Sequence, residues 1–181
     1  MRKLLLLVAV LFVASIPASA QDYPSAEIFG GYAYVSADTE DILGDRENLN
    51  GFGLSFAGNL GPRFGLVAEF SGVFGNVDLP GADLDISNYT YLFGPRVNVR
   101  GDAATGFAHI LLGGATTKVE GFSDSNFALA VGGGVDINAG KSIAFRLQAD
   151  YLPIFVGDDL GGDTIHNFRF MTGIVFKFGN K

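Results

Sequence analysis

Through most of this chain, large apolar side chains come at every second residue. In Gly51-Phe52-Gly53-Leu54-Ser55-Phe56-Ala57, the residues Phe52, Leu54 and Phe56 fall on one side and Gly51, Gly53, Ser55 and Ala57 on the other. Ile143, Phe145, Leu147, Ala149 and Tyr151 oppose Ala144, Arg146, Gln148 and Asp150 in the same way. Phe168, Phe170, Thr172, Ile174, Phe176 and Phe178 oppose Arg169, Met171, Gly173, Val175 and Lys177. Successive side chains of a β-strand leave on opposite faces, so this repeat means strands whose two faces meet different surroundings. No sustained helical period follows residue 20, and the chain reads as all-β. Abundant glycine, 26 residues, together with 13% aromatic residues favours many short strands and tight turns over low-complexity disorder.

Eight strands are expected, near 26–35, 50–58, 64–74, 88–99, 106–116, 127–137, 142–153 and 167–178. The connections between them alternate in length. Those at 36–49, 75–87, 117–126 and 154–166 are long, whereas Asn59 to Arg63, Arg100 to Thr105 and Asn138 to Lys141 are short turns. An antiparallel up-and-down barrel places successive connections at opposite ends. Outer-membrane barrels keep the periplasmic turns short and the extracellular loops long. The rhythm therefore predicts an eight-stranded transmembrane barrel with both termini periplasmic.

Ahead of the strands lie Met1-Arg2-Lys3, an apolar run from Leu4 to Ile16, and Ala18-Ser19-Ala20. A basic start, a short apolar stretch and small residues at the cleavage positions predict a secretory signal peptide over residues 1–20, cut after Ala20. The run is too short for a membrane-spanning helix, which needs about 20 apolar residues. Residues 21–181 form one barrel domain. Removing Arg2 and Lys3 leaves 10 basic against 19 acidic residues and takes the net charge from -7 to -9. Such an exported acidic protein is a poor nucleic-acid binder. Cysteine is absent, which excludes a lipoprotein anchor, disulfides and thiolate chemistry.

Sidedness follows from composition. A soluble barrel would turn the face of Gly53, Ser55, Ala57, Ala128, Ala130, Gly132 and Gly134 to water, yet that face lacks the Lys, Glu and Thr of a solvated sheet. Small residues suit the crowded lumen of a narrow barrel. Tyr32, Tyr34, Tyr89, Tyr91 and Tyr151 fall at the long-loop rim, and Phe64, Phe107, Phe176 and Phe178 near the other. Aromatic girdles at two levels are what a bilayer with two interfaces selects.

The stretches Asn50 to Leu60, Phe64 to Gly72, Tyr91-Leu92-Phe93-Gly94-Pro95-Arg96 and Gly132-Gly133-Gly134-Val135-Asp136 resemble the OmpA/OmpX-type outer-membrane β-barrel domain family of Gram-negative bacteria, over Ala26 to Phe178. The resemblance implies a structural, adhesive or surface-exposed role, with only some members conducting solute. Longer members add a peptidoglycan-binding domain, whereas this sequence stops at Lys181. Many such barrels end on an aromatic residue read by the barrel-assembly machinery; here Gly179-Asn180-Lys181 follows Phe178.

With the aromatic face in lipid, Glu27, Glu69, Arg96, His109, Asp136, Arg146, Asp150, Arg169 and Lys177 point into the lumen. Buried charges need partners. Asp150 and Arg169 lie at similar heights on adjacent strands, and Glu27 faces Lys177 across the closure. Eight strands leave room for side chains and little else, so the cluster reads as a polar plug ahead of an ion path. Acidic residues crowd the long connections: Asp38, Glu40, Asp41, Asp45 and Glu47; Asp78, Asp83 and Asp85; Glu120 and Asp124; Asp158, Asp159 and Asp163. They read as solvated loops ahead of divalent-cation bridges to lipopolysaccharide. His166, with Asp159, Asp163 and Thr164, is the one catalytic arrangement worth naming, and no Gly-x-Ser-x-Gly sequence supports a hydrolase. The expectation is a monomeric, non-enzymatic barrel among outer-membrane lipids, without cofactor, metal or catalytic residue. A small-solute porin and a hydrolase or lipid-modifying enzyme are the alternatives.

Overall fold

The computed structural model describes residues 23–38, 46–79, 82–119, 122–157 and 163–180. The expected signal peptide lies outside them. Eight strands follow one another: β1 (Pro24–Asp38), β2 (Arg46–Asn59), β3 (Phe64–Leu79), β4 (Ala82–Arg100), β5 (Ala104–Val119), β6 (Phe122–Asn138), β7 (Ile143–Val156) and β8 (Asp163–Asn180). Each pairs antiparallel with the next, and β1 closes on β8 through rungs from Pro24↔Asn180 to Ser36↔Phe168. The result is the closed eight-stranded barrel that the alternation predicts.

The three short turns sit where the sequence places them. They are closed by backbone bonds such as Leu60 N to Phe64 O at 2.9 Å, Gly101 N to Ala104 O at 2.8 Å and Ala139 N to Ile143 O at 3.0 Å. The long connections are a correction. Pairing runs on through them, as far as Asp38↔Arg46, Leu79↔Ala82, Val119↔Phe122 and Val156↔Asp163. Only β3–β4 keeps an apolar register face, Val77↔Leu84 with Leu79↔Ala82; in the other extensions polar residues interrupt the period while the backbone hydrogen bonds of the ladder continue. The β2–β3 ladder stops at Asn50↔Phe74 and the β4–β5 ladder at Ile86↔Val119. The wall thus parts between β2 and β3, whereas β4 and β5 stay paired to the last residue of β5; these paired strand ends are called ribbons below. The end bearing the short turns and both chain termini is called the turn end below, and the other the ribbon end.

Two strands carry an internal proline, which has no N–H for a ladder. The β4–β5 ladder is interrupted at Pro95 and the β6–β7 ladder at Pro153. At the seam between β1 and β8, Gly31 and Gly173 are register partners, and the strands approach closely. A Cβ on Gly173 would lie 2.3 Å from Gly30 O and 2.5 Å from Gly31 Cα.

The outer face is apolar and uncovered. Phe56, Phe93, Ile110, Leu112 and Phe170 are each more than half exposed, at 53%, 56%, 52%, 51% and 52%. A soluble monomer does not leave an apolar belt around its whole girth in water; hydrocarbon is the medium that suits it. Phe52, Phe70, Phe74 and Tyr89 pack as a ridge, with ring centroids 5.9 to 6.5 Å apart. Tyr32, Tyr91 and Tyr151 are exposed on this outer face toward the ribbon end, and Phe64, Phe176 and Phe178 toward the turn end. Phe107 is a second correction. It is 7% exposed and points into the lumen, as its place two residues before the inward His109 requires.

Candidate functional site

The lumen is filled by two groups of polar side chains, drawn from all eight strands, and by apolar residues packed around them. Toward the ribbon end the inward faces are apolar: Val35, Leu49, Val73, Ala115, Ala128, Leu152 and Ile154 are all buried. Of this layer the sequence had placed only Ala128 on the luminal face, because the inward Val and Leu residues look like ordinary strand residues.

Arg169 is the centre of the first polar group. From β8 its guanidinium meets Asp150 on β7, its register partner, with Nη2 2.7 Å and Nε 3.1 Å from Oδ2. It also reaches across to Glu69 on β3. Ser71 Oγ, 3.2 Å from Nη1, and Thr90 Oγ1, 3.4 Å from it, accept two further bonds. Asp150 holds His109 of β5 as well, Nε2 to Oδ1 at 2.8 Å. Gln148 Nε2 donates to Glu69 Oε2 at 3.0 Å and to Asp150 Oδ2 at 2.9 Å. Every charged side chain of this group is at most 1% exposed.

The second group lies at the turn end. Arg146 grips Asp136 with both arms of its fork, Nε to Oδ1 at 2.7 Å and Nη2 to Oδ2 at 2.8 Å, between register partners on β7 and β6. Glu27 of β1 takes Arg96 Nη2 at 2.5 Å, Arg100 Nη2 at 3.1 Å and Arg146 Nη2 at 3.6 Å, and accepts from Asn59 Nδ2 at 2.9 Å. Phe107 lies between two of these cations: Arg146 Cζ is 4.5 Å and Arg96 Cζ 5.2 Å from its ring centroid. Arg146 also lies 5.2 Å from the Phe29 ring. An aromatic face attracts a desolvated cation, which gives the buried Nε and Nη1 of Arg96 a neighbour where no hydrogen-bond acceptor stands.

The structure thus places all nine sequence-derived charged residues on the inner face. Lys177 is the exception to the expected pairing. It stands opposite Glu27 in the register, but its Nζ turns to Asn138 Oδ1 at 2.6 Å, and arginines from β4 and β7 take the carboxylate. A carboxylate with two oxygens suits several planar forks better than one ammonium. Arg100, Asn59, Gln148, Ser71, Thr90, Phe29 and Phe107 complete the network and were not named for it from the sequence, which had set Phe107 in the outer girdle. Strict parity would have found the last two. Arg100 sits at a strand end, where parity gives no warning.

Most of these polar atoms are spent on one another, and the arrangement offers no nucleophile beside a free base. His166 is exposed on the outer face, stacked on Tyr151 at 5.9 Å and 12°, with the tyrosine hydroxyl 2.5 Å from Nδ1. Asp159 lies outside the described residues. So do Glu40, Asp41, Asp45, Glu120 and Asp158. Asp124 is described; it accepts from Ser125 N and Asn126 Nδ2. Among the described residues no group of three or more His, Asp and Glu side chains is placed to hold a metal ion.

A family model described as the outer membrane protein beta-barrel domain matches residues 6–178. Among solved structures the chain is similar to Ail, the attachment invasion locus protein of Yersinia pestis, with 20% identity and a TM-score of 0.61 over 86% of this chain and 99% of that one. It is similar to Neisserial surface protein A, with 11% identity and a TM-score of 0.64 over 85% and 97%. It is also similar to the outer membrane protein OprG from Pseudomonas aeruginosa, with 15% identity and a TM-score of 0.59 over 87% and 97%. At such identities the likeness is one of fold. No curated protein matches the sequence significantly.

Proposed function

Because the chain belongs to the outer membrane protein β-barrel domain family, we propose that it is a non-enzymatic barrel with a closed lumen, whose work lies at its extracellular surface. The observation that carries this reading is the burial of the luminal cations: Arg96, Arg146 and Arg169 are 1%, 2% and 0% exposed. A water molecule rolled along the lumen touches almost none of them, so no hydrated ion passes without breaking the ion pairs. The apolar layer nearer the ribbon end adds a second barrier, since apolar constrictions close by dewetting.

The short turns and both termini share one end. By the habit of outer-membrane barrels that end is periplasmic, and residues 1–20 are the signal peptide that delivers the chain there. The paired ribbons then project outward, with acidic residues in all four connections and Arg46 and Lys118 as the basic ones. One similar structure is of Ail in complex with the heparin analogue sucrose octasulfate. A rim with this charge balance repels a bare polyanion and favours a cationic partner, and anionic lipopolysaccharide meets it through bridging divalent cations.

Planar-bilayer recording tests the closed lumen. The expected result is an absence of stable, large single-channel steps; their regular appearance would make the protein a small-solute porin. For the non-enzymatic reading, the expected outcome is no turnover of lipid or peptide substrates. Turnover that vanished in His166→Ala would overturn it.

A further inference from the structure

The outer wall carries more than one apolar groove, and a smaller one, of about 350 Å³, lies beside Leu54, Phe56, Ala68 and Phe70. Across β6, β7, β8 and β1 runs a groove of about 450 Å³, floored by Gly133, Ala149 and Thr172 and walled by Tyr32, Leu147 and Phe170. Gly133 and Ala149 are register partners, so two of the smallest residues lie side by side. Phe170, the partner of Ala149 on β8, rises beside them at 52% exposed, and Leu147 stands at 47%. The depth is built into the backbone. A Cβ on Gly133 would lie 2.3 Å from Phe107 O, so no side chain can fill that part of the floor without moving β5.

We propose that this groove is a lipid site that seats one acyl chain, held in place longer than the chains around the rest of the barrel. The proposal rests on the outer-membrane placement and is independent of whether the lumen is closed. Three observations favour an acyl chain. The groove is continuous with the apolar belt that faces hydrocarbon. Its outward lining carries no charged group. The hydroxyls of Tyr32 and Tyr34 are turned away to Asn50 and Asn48 of β2, and the Thr172 hydroxyl of the floor is buried. The tyrosines therefore line the groove with their rings and keep their polar ends toward the ribbon end, the level where a bilayer interface favours tyrosine. A volume of this size falls within the range that small-ligand sites occupy, about 300–1,000 Å³, and an unbranched chain conforms to a shallow trough.

The test uses the full barrel in phosphatidylethanolamine–phosphatidylglycerol vesicles containing a trace of phospholipid with a photoreactive diazirine on its acyl chain. After irradiation, adducts are mapped by mass spectrometry. The expected result is labelling around Ala149 and Phe170 several-fold above that on the far outer wall, around Phe93 and Ile110. Ala149→Phe, which fills the exposed floor, should abolish the excess, and Leu147→Ala, which removes a wall, should reduce it. A heat-shifted band on a gel confirms that each variant is folded. Even labelling around the barrel, or an excess unaltered by both substitutions, would overturn the proposal. So would efficient barrel-to-barrel crosslinking through Ala149→Cys, which would give the groove to a second copy. Failure of the wild-type chain to insert into the vesicles is a separate readout and bears on the membrane placement itself.

Discussion

Arg169 neutralises two carboxylates that come from opposite parts of the chain, Glu69 on β3 and Asp150 on β7, and none of the three is exposed by more than 1%. Replacing it by methionine keeps the volume but leaves two anions without their cation, and breaking a buried pair in this way costs about 3–5 kcal/mol. Urea titration of the folded barrel in lipid vesicles should show that loss for Arg169→Met as a lower midpoint with an unchanged slope. Arg169→Lys should recover only part of it, because an ammonium cannot reach Asp150 with two nitrogens and Glu69 with a third contact. An unaltered midpoint in Arg169→Met would mean that the pairs contribute nothing net. The pairing of Asp150 with Arg169 was legible in the sequence because they are register neighbours at one height on one face. The partners of Glu27 were not. Arg96 lies three strands away around the wall, and the reach of a guanidinium across a narrow lumen leaves no trace in strand order.

At the scale of the strand, glycine positions divide sharply by what surrounds them. A side chain on Gly173 would enter the backbone of β1 at 2.3 Å, whereas a Cβ on Gly106 meets nothing within 4 Å. Gly173→Val should therefore prevent closure of the β1–β8 seam, read as loss of the heat-shifted band, while Gly106→Ala should keep stability within about 0.5 kcal/mol. Equal behaviour of the two would refute the close approach at the seam. The outer face is tested by Leu54→Arg: Leu54 is 50% exposed on the middle of the lipid-facing stretch of β2. A cation at the bilayer midplane costs about 2–4 kcal/mol, and a neutral result would place that face outside hydrocarbon. The membrane half of each strand could be read from the period of two, because lipid and lumen impose opposite chemistry on alternate residues. The ribbon ends could not. There polar residues interrupt the period in most strands, and the ladder carries the register, joined by a hydroxyl bond of 2.9 Å at Thr116↔Ser125 and by the Tyr89 ring 5.7 Å from Lys118 Nζ.

For the molecule as a whole, charge is arranged along the barrel axis. Outside the lumen, the described acidic residues Asp38, Glu47, Asp78, Asp83, Asp85, Asp124 and Asp163 fall in the strand ends toward the ribbon end, whereas the turns at the other end carry Arg63 and Lys141 against Asp102. This polarity does not itself choose an orientation, because the rule that fixes membrane topology by basic loops concerns helices crossing a different membrane. Connection length does bear on it, since translocated outer-membrane barrels leave their compact turns behind on the periplasmic side. The two criteria are separable by experiment. A short epitope placed after Gly140, in the exposed turn between β6 and β7, should be hidden from antibody on intact cells and detected after the outer membrane is permeabilised. The same epitope in the connection between β7 and β8 should be detected on intact cells. Reversal of both signals would put the ribbons in the periplasm and remove the acidic rim from any extracellular partner. Detection of both on intact cells would mean that the chain does not cross the membrane. The expected pattern would make the ribbons the part of the protein that the surroundings meet, with the ion-paired lumen serving to hold them there.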